Sequence, residues 1–78
     1  MRNKREVPQS IRKKVTRVGA RIAELRLAKG LTQEKLAYGV GIAKSYLGYI
    51  EKGKSNPTIE TLYLIADGLD CDIDTFFD

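Results

Sequence analysis

Residues 33–52, QEKLAYGVGIAKSYLGYIEK, constrain the fold of this chain more than any other stretch. They read as two short helices joined by a tight turn. Leu36 and Ala37 face inward on the first helix, and Leu47 and Ile50 face inward on the second. Two helices that cross closely need a small residue at the crossing, and Ala37 supplies it. The turn between them needs a residue that tolerates φ > 0, which Gly41 does without steric cost. Leu47 and Ile50, three residues apart, put two apolar side chains on one helix face.

This is the spacing of a DNA-binding helix-turn-helix, in which the second helix enters the major groove. An ordinary helical hairpin would share part of the pattern, so the flanking sequence has to weigh between the two. Seventy-eight residues make one small domain with one modest core. Several short helices must therefore pack around the hairpin. The net charge of +4 hides a strong asymmetry. Residues 1–29 carry ten basic and two acidic side chains, and residues 30–54 carry four and two. Residues 55–78 carry six acidic side chains and no basic one. The positive part includes the hairpin, so it suits a polyanion, and the acidic last third does not.

Other function classes find little support. No histidine is present, which removes the commonest metal ligand and general base. The only cysteine, Cys71, cannot by itself make an internal disulfide or a zinc site. It reads as a small buried hydrophobe. No paired nucleophile or metal-ligand cluster appears, so neither an enzyme nor a cofactor is expected. Nothing resembles a secretory signal or a membrane span, which points to a cytoplasmic protein with no membrane partner.

Taken in order, residues 1–14 (MRNKREVPQSIRKK) form a basic N-terminal arm, flexible or partly helical. Pro8 restricts its backbone, and Ser10 is placed to cap an early helix start. Such an arm suits phosphates or a minor groove, and a disordered tail is the alternative. The remainder, 15–78, is the helix-turn-helix domain. A first helix is predicted over 15–29, with Val15, Val18, Ile22 and Leu25 as its stripe and Gly30 just past its end. Gly19 inside it costs about 1 kcal/mol relative to alanine and needs a packing reason.

Thr32 is the expected cap of the second helix, with Leu31 and Leu36 spaced as a hydrophobic staple. Gln33 at its first position lies among free N–H groups, a natural place to grip a phosphate. The third helix is predicted from about 43 to 52. Ala43 stands at its cap position, where alanine is poor. Lys44, Ser45, Gly48 and Tyr49 are left outward, a face suited to base edges. The polar loop Lys54-Ser55-Asn56-Pro57 follows, and Lys54 there suits a phosphate. Thr58 is expected to cap a fourth helix over 59–69, with Ile59, Leu62, Ile65, Ala66 and Leu69 as its core stripe. Asp72 is expected to cap a last short helix containing Ile73, Phe76 and Phe77. Tyr63, Leu64, Ile73, Phe76 and Phe77 add apolar surface that so small a domain has difficulty burying, and the surplus predicts a subunit interface, the alternative being that Tyr63 and the phenylalanines complete the monomer core.

With these residues in place, residues 18–77 resemble the Xre/Cro-type helix-turn-helix regulators, the group that includes lambdoid phage repressors. The resemblance rests on LTQEKLA, Gly41, YLGYIEKG, NPTIETL and DIDTFF. It implies an all-α fold, a compact five-helix bundle of the lambda-repressor-like kind, and a dimer on operator DNA. It also implies a phosphate-binding glutamine, here Gln33, and base-reading positions that fall on Lys44, Ser45 and Tyr49. The family often pairs an arginine in the first helix with a glutamate near the end of the third. Here these are Arg26 and Glu51, expected as a structural ion pair. KSYLGYIEKG also looks like the controller proteins of restriction–modification systems, which have a tyrosine at the place of Tyr46. The chain departs from the family at Ala43, usually a capping serine or threonine, and from the controllers at Ser55, usually basic.

The sequence thus predicts a regulator that binds double-stranded DNA as a homodimer. Lys44, Ser45 and Tyr49 are expected to read bases, and Gln33, Tyr46, Lys52, Lys54 and Asn56 to hold the backbone. A second reading makes the chain an antitoxin or co-regulator whose main partner is another protein.

Overall fold

The structure, a computed structural model, describes residues 6–78. Arg2, Lys4 and Arg5 of the expected basic arm lie outside the described residues. Among the described residues the chain forms four α-helices and one 3-10 helix, with no strand. These are α1 (Gln9–Ala28), α2 (Gln33–Val40), α3 (Lys44–Glu51), α4 (Ile59–Gly68) and the 3-10 helix (Ile73–Phe77). The fold is all-helical, and the fifth helix implied by the family resemblance is this short 3-10 segment.

The first helix starts at Gln9, six residues before the predicted start at Val15. Pro8 is its cap residue, and the Pro8 carbonyl accepts from the N–H groups of Ile11 and Arg12, both at 3.0 Å. Ser10 therefore lies inside the helix and does not cap it. Tertiary contact explains the early start. Arg12 Nη2 donates to the carbonyl of Gly53 at 2.8 Å, which fastens this half of α1 to the end of α3.

The second and fourth helices begin as their sequences require. Thr32 Oγ1 accepts from Lys35 N at 3.0 Å, and Thr58 Oγ1 accepts from Thr61 N at 3.1 Å. Ala43 precedes α3 with no side-chain cap bond. Asp72 holds the cap position of the 3-10 helix but its side chain makes no cap bond, contrary to expectation. Gly41 takes φ +78° between α2 and α3, the left-handed conformation that the turn needs.

The core is built from Ile22, Leu36, Ala37, Leu47, Ile50, Leu62, Ile65, Ala66, Leu69 and Phe76. It seats α1 against α3 and the 3-10 helix, and α2 against α3 and α4. Of the predicted α1 stripe only Ile22 is fully buried, while Val15, Val18 and Leu25 are half-buried. Ile59 does not join the core, because it is the first residue of α4 and lies beyond the end of the packed face. Phe76 is 0% exposed and fills the monomer core, so it is not available to a subunit interface as the sequence reading had it. Its neighbour Phe77 is exposed.

Gly19 acquires its packing reason here. A Cβ built on it would overlap the carbonyl oxygen of Ile50 and lie 3.1 Å from the backbone of Glu51. α1 and α3 thus touch backbone to backbone. Alanine at this position would gain about 1 kcal/mol of helix propensity. It would also force a rigid backbone overlap of the kind that costs about 1–3 kcal/mol or more. Since backbone cannot rotate away, Gly19→Ala is expected to lower the urea midpoint. A raised midpoint would show that the two helices do not pack this closely.

Candidate nucleic-acid interface

The outward face of α3 presents Lys44, Ser45 and Tyr49, all exposed. Their exposure follows from the local sequence, since Leu47 and Ile50 turn the opposite face into the core. Lys44, Ser45, Gly48, Tyr49 and Lys52 line one open depression together with Gln33, which arrives from the first turn of α2. The hairpin thus brings Gln33 beside the three predicted base-reading residues. Gly48 is where the two helices meet on this face. A Cβ there would lie 3.7 Å and 3.8 Å from the Gln33 amide atoms, so the glutamine side chain rests across a bare stretch of α3.

Other predicted contacts lie elsewhere. Tyr46 is half-buried against the core and does not line the depression. Lys54 and Asn56 are exposed on the loop beyond α3, and Asn56 lies at an apolar groove with Val15, Pro57 and Phe77. Tyr63, Leu64 and Phe77 are exposed apolar side chains, and Ile73 is half-buried in a shallow groove beside Tyr63.

Beneath the α3 face sits a buried ion pair. Arg26 and Glu51 are each 9% exposed. Arg26 Nε donates to Glu51 Oε2 at 2.7 Å and Nη2 to Oε1 at 3.1 Å, a two-pronged contact. Arg26 Nη1 donates to the Leu31 carbonyl at 2.7 Å, just ahead of α2. One guanidinium therefore joins α1, the start of α2 and the end of α3. The sequence reading did not anticipate that Gln33 is part of this cluster. Gln33 Nε2 donates to Glu51 Oε1 at 2.8 Å. Eighteen residues separate the two, so no local periodicity links them. The available signal was a carboxylate on the inner side of α3 with more acceptor capacity than one arginine uses. Among the described residues no buried side-chain polar atom lacks a partner.

The described residues contain no group of His, Cys, Asp or Glu arranged to hold a metal ion, and no helix long and apolar enough to cross a membrane. Cys71 packs partly against the core, and burial pushes its thiol above the usual range. That favours the inert thiol over the reactive thiolate.

The HTH_3 helix-turn-helix family matches residues 22–76, most of the chain. The chain belongs to that family. The match runs from mid-α1 through the 3-10 helix and includes the whole hairpin. A curated relative, described as an uncharacterized HTH-type transcriptional regulator, y4dJ of Sinorhizobium fredii, is 46% identical over 52 residues. That alignment covers 67% of this chain and 68% of the relative. Several other curated relatives are longer, and the chain spans between 31% and 56% of them.

Solved structures agree with the HTH_3 assignment. The restriction–modification controller protein C.AhdI of Aeromonas hydrophila superposes with a TM-score of 0.82 at 37% identity, covering 83% of this chain and 98% of that one. A second controller protein, C.Esp1396I, was solved as a tetramer in complex with its natural 35 base-pair operator. It superposes with a TM-score of 0.74 at 40% identity, covering 81% of this chain and 83% of the other. This HTH_3 protein thus has the helix-turn-helix fold of transcriptional regulators, and its similarity extends over nearly all of C.AhdI and over 83% of C.Esp1396I.

Proposed function

We propose that this chain is a sequence-specific regulator of transcription that binds double-stranded DNA as a homodimer, on an operator with two half-sites. The observation that carries the reading is the exposed Lys44–Ser45–Tyr49 face of α3 lined up beside Gln33. In this arrangement α3 lies in a major groove, Lys44, Ser45 and Tyr49 meet base edges, and Gln33 and Lys52 hold phosphates. Lys54, Asn56 and Tyr46 extend the backbone contacts. The structure of a similar controller protein on its operator supports this reading. The role is binding in the cytoplasm, where the DNA is, and requires no cofactor and no catalysis.

The test is selection of bound duplexes from a random pool. Two half-sites related by two-fold symmetry and spaced by roughly 34 Å, one helical turn, are the expected result. Failure to enrich any sequence, with binding lost at moderate salt, would reduce the interaction to charge alone.

Lys44 sits at the first position of α3 and suits a guanine. Lys44→Ala should cost about 1–3 kcal/mol at a single base position and relax preference there. Fluorescence anisotropy on a panel of single-base operator variants reads this directly. Equal weakening on every duplex would make Lys44 a phosphate contact instead.

Self-association is assigned to the exposed Tyr63, Leu64 and Phe77 with the half-buried Ile73. The same apolar surface would serve an antitoxin or co-regulator that docks on a different protein. A stable hetero-complex with weakly salt-dependent DNA binding would mark that alternative.

A further inference from the structure

We infer that Glu51 is a positioning residue for DNA binding: its carboxylate orients the Gln33 amide, so that the buried Arg26–Glu51 pair sets how Gln33 faces the nucleic acid. The inference rests on the DNA-binding reading above and goes beyond it, because Glu51 itself is buried and touches no DNA.

The geometry is specific. Glu51 Oε1 accepts from both Arg26 Nη2 and Gln33 Nε2, while Oε2 accepts from Arg26 Nε. An ionised carboxylate can only accept. It therefore selects the nitrogen end of the Gln33 amide and turns the oxygen end away. A free glutamine can present either end to its surroundings. A phosphate, which only accepts, needs the N–H end. With one N–H held by Glu51, Gln33 keeps one N–H for a phosphate and its Oε1 for a donor. The bare backbone at Gly48 leaves room for the amide to lie flat in this pose. Holding the amide in advance removes part of the ordering cost of binding. Arg26 in turn holds Glu51, and through the Leu31 carbonyl it also ties down the start of α2, from which Gln33 projects.

Removing Glu51 alone would leave the buried Arg26 without its carboxylate and confuse folding with binding. The informative variant is Arg26→Met with Glu51→Leu, which replaces the pair by apolar side chains of similar size. Such exchanges are commonly neutral or stabilising. One positive and one negative charge leave together, so the long-range attraction to DNA is unchanged. The DNA is the operator selected above.

Gln33→Ala is expected to weaken operator binding by roughly tenfold, the effect of one hydrogen bond to a charged group. The Arg26→Met/Glu51→Leu protein should show a loss of similar size with an unaltered thermal midpoint. Adding Gln33→Ala to it should then cost less than about twofold more, since a Gln33 amide that Glu51 no longer holds contributes little to be lost. Wild-type affinity in the double variant, or fully additive losses near a hundredfold, would overturn the inference. A second measurement needs no variant and no DNA. In the wild-type protein one of the two Gln33 side-chain amide protons should be displaced downfield by the carboxylate in the NMR spectrum, relative to the ordinary glutamine pair. A pair of signals at the ordinary shifts of a solvent-exposed glutamine would overturn the orientation. Gln33→Ala binding as tightly as wild type would overturn it too, without touching the role of α3. Absence of any selected operator would instead defeat the DNA reading while the amide spectrum still reported on Glu51.

Discussion

Glu51→Ala should destabilise the protein by about 3–5 kcal/mol, the cost of stranding one member of a buried ion pair. Both partners are 9% exposed, so water cannot replace the missing carboxylate around Arg26. The guanidinium would keep only the Leu31 carbonyl. Gln33 Nε2 would lose its acceptor as well. A domain of this size has about 4–12 kcal/mol of total stability. The single substitution would therefore consume a large fraction of it. Urea unfolding followed by circular dichroism measures the loss. A change below about 1 kcal/mol would mean that the pair is solvated and behaves like a surface salt bridge. The contrast with Arg26→Met/Glu51→Leu is part of the expectation. Breaking the pair costs much, whereas replacing it whole costs little, because the desolvation penalty disappears along with the attraction.

Phe76→Ala should cost a comparable 3–5 kcal/mol, the range for emptying a buried aromatic site. Phe76 is completely enclosed in the core, and its 3-10 helix packs on α1 and α4. Arg21 Nε donates to the Thr75 carbonyl at 3.1 Å and holds this segment to α1, so the void has little freedom to collapse. At roughly 4–8 °C per kcal/mol for a domain of this length, the thermal midpoint should fall by well over ten degrees. The adjacent Phe77 predicts the opposite pattern. It is 59% exposed. Phe77→Asp should lower the midpoint far less than Phe76→Ala and convert a dimer to monomers in analytical ultracentrifugation. If Phe77→Asp sediments like wild type, the apolar surface is not the self-association face. If it melts like Phe76→Ala, the two rings do not divide between core and surface.

The two phenylalanines show where sequence reading reached its limit. Both stand in one apolar run, and in a single short turn neither period nor composition tells which ring points inward. The closing segment is 3-10 rather than α. That changes the angle between successive side chains and decides the matter only once α1 and α4 are in place. Ile59 was misplaced for a related reason. It continues the α4 stripe, but the packed surface of the partners ends before it does. Gly68 went unremarked, yet a Cβ there would lie 3.1 Å from Leu36 Cδ1 and still closer to Val40. Its neighbours are side-chain ends of α2 rather than the backbone that Gly19 meets, and a helical glycine alone does not announce what it lies against.

Local chemistry was legible wherever the cause is local. The caps Thr32 and Thr58 act on N–H groups three residues away, and the left-handed turn at Gly41 is settled by the absence of a Cβ. The inward faces of α2 and α3 follow from helical period, which leaves Lys44, Ser45 and Tyr49 outside by default. The charge asymmetry is likewise a property of the chain itself. Only the tertiary structure decided what joins across distance. It started α1 at Gln9 by giving Arg12 a carbonyl at Gly53. It brought the Gln33 amide to the Glu51 carboxylate across eighteen residues. Capping and amphipathicity act within a few residues of backbone, so one sequence encodes them outright. Close crossings and shared hydrogen-bond acceptors depend on how separate helices stack, and that is settled by the core as a whole.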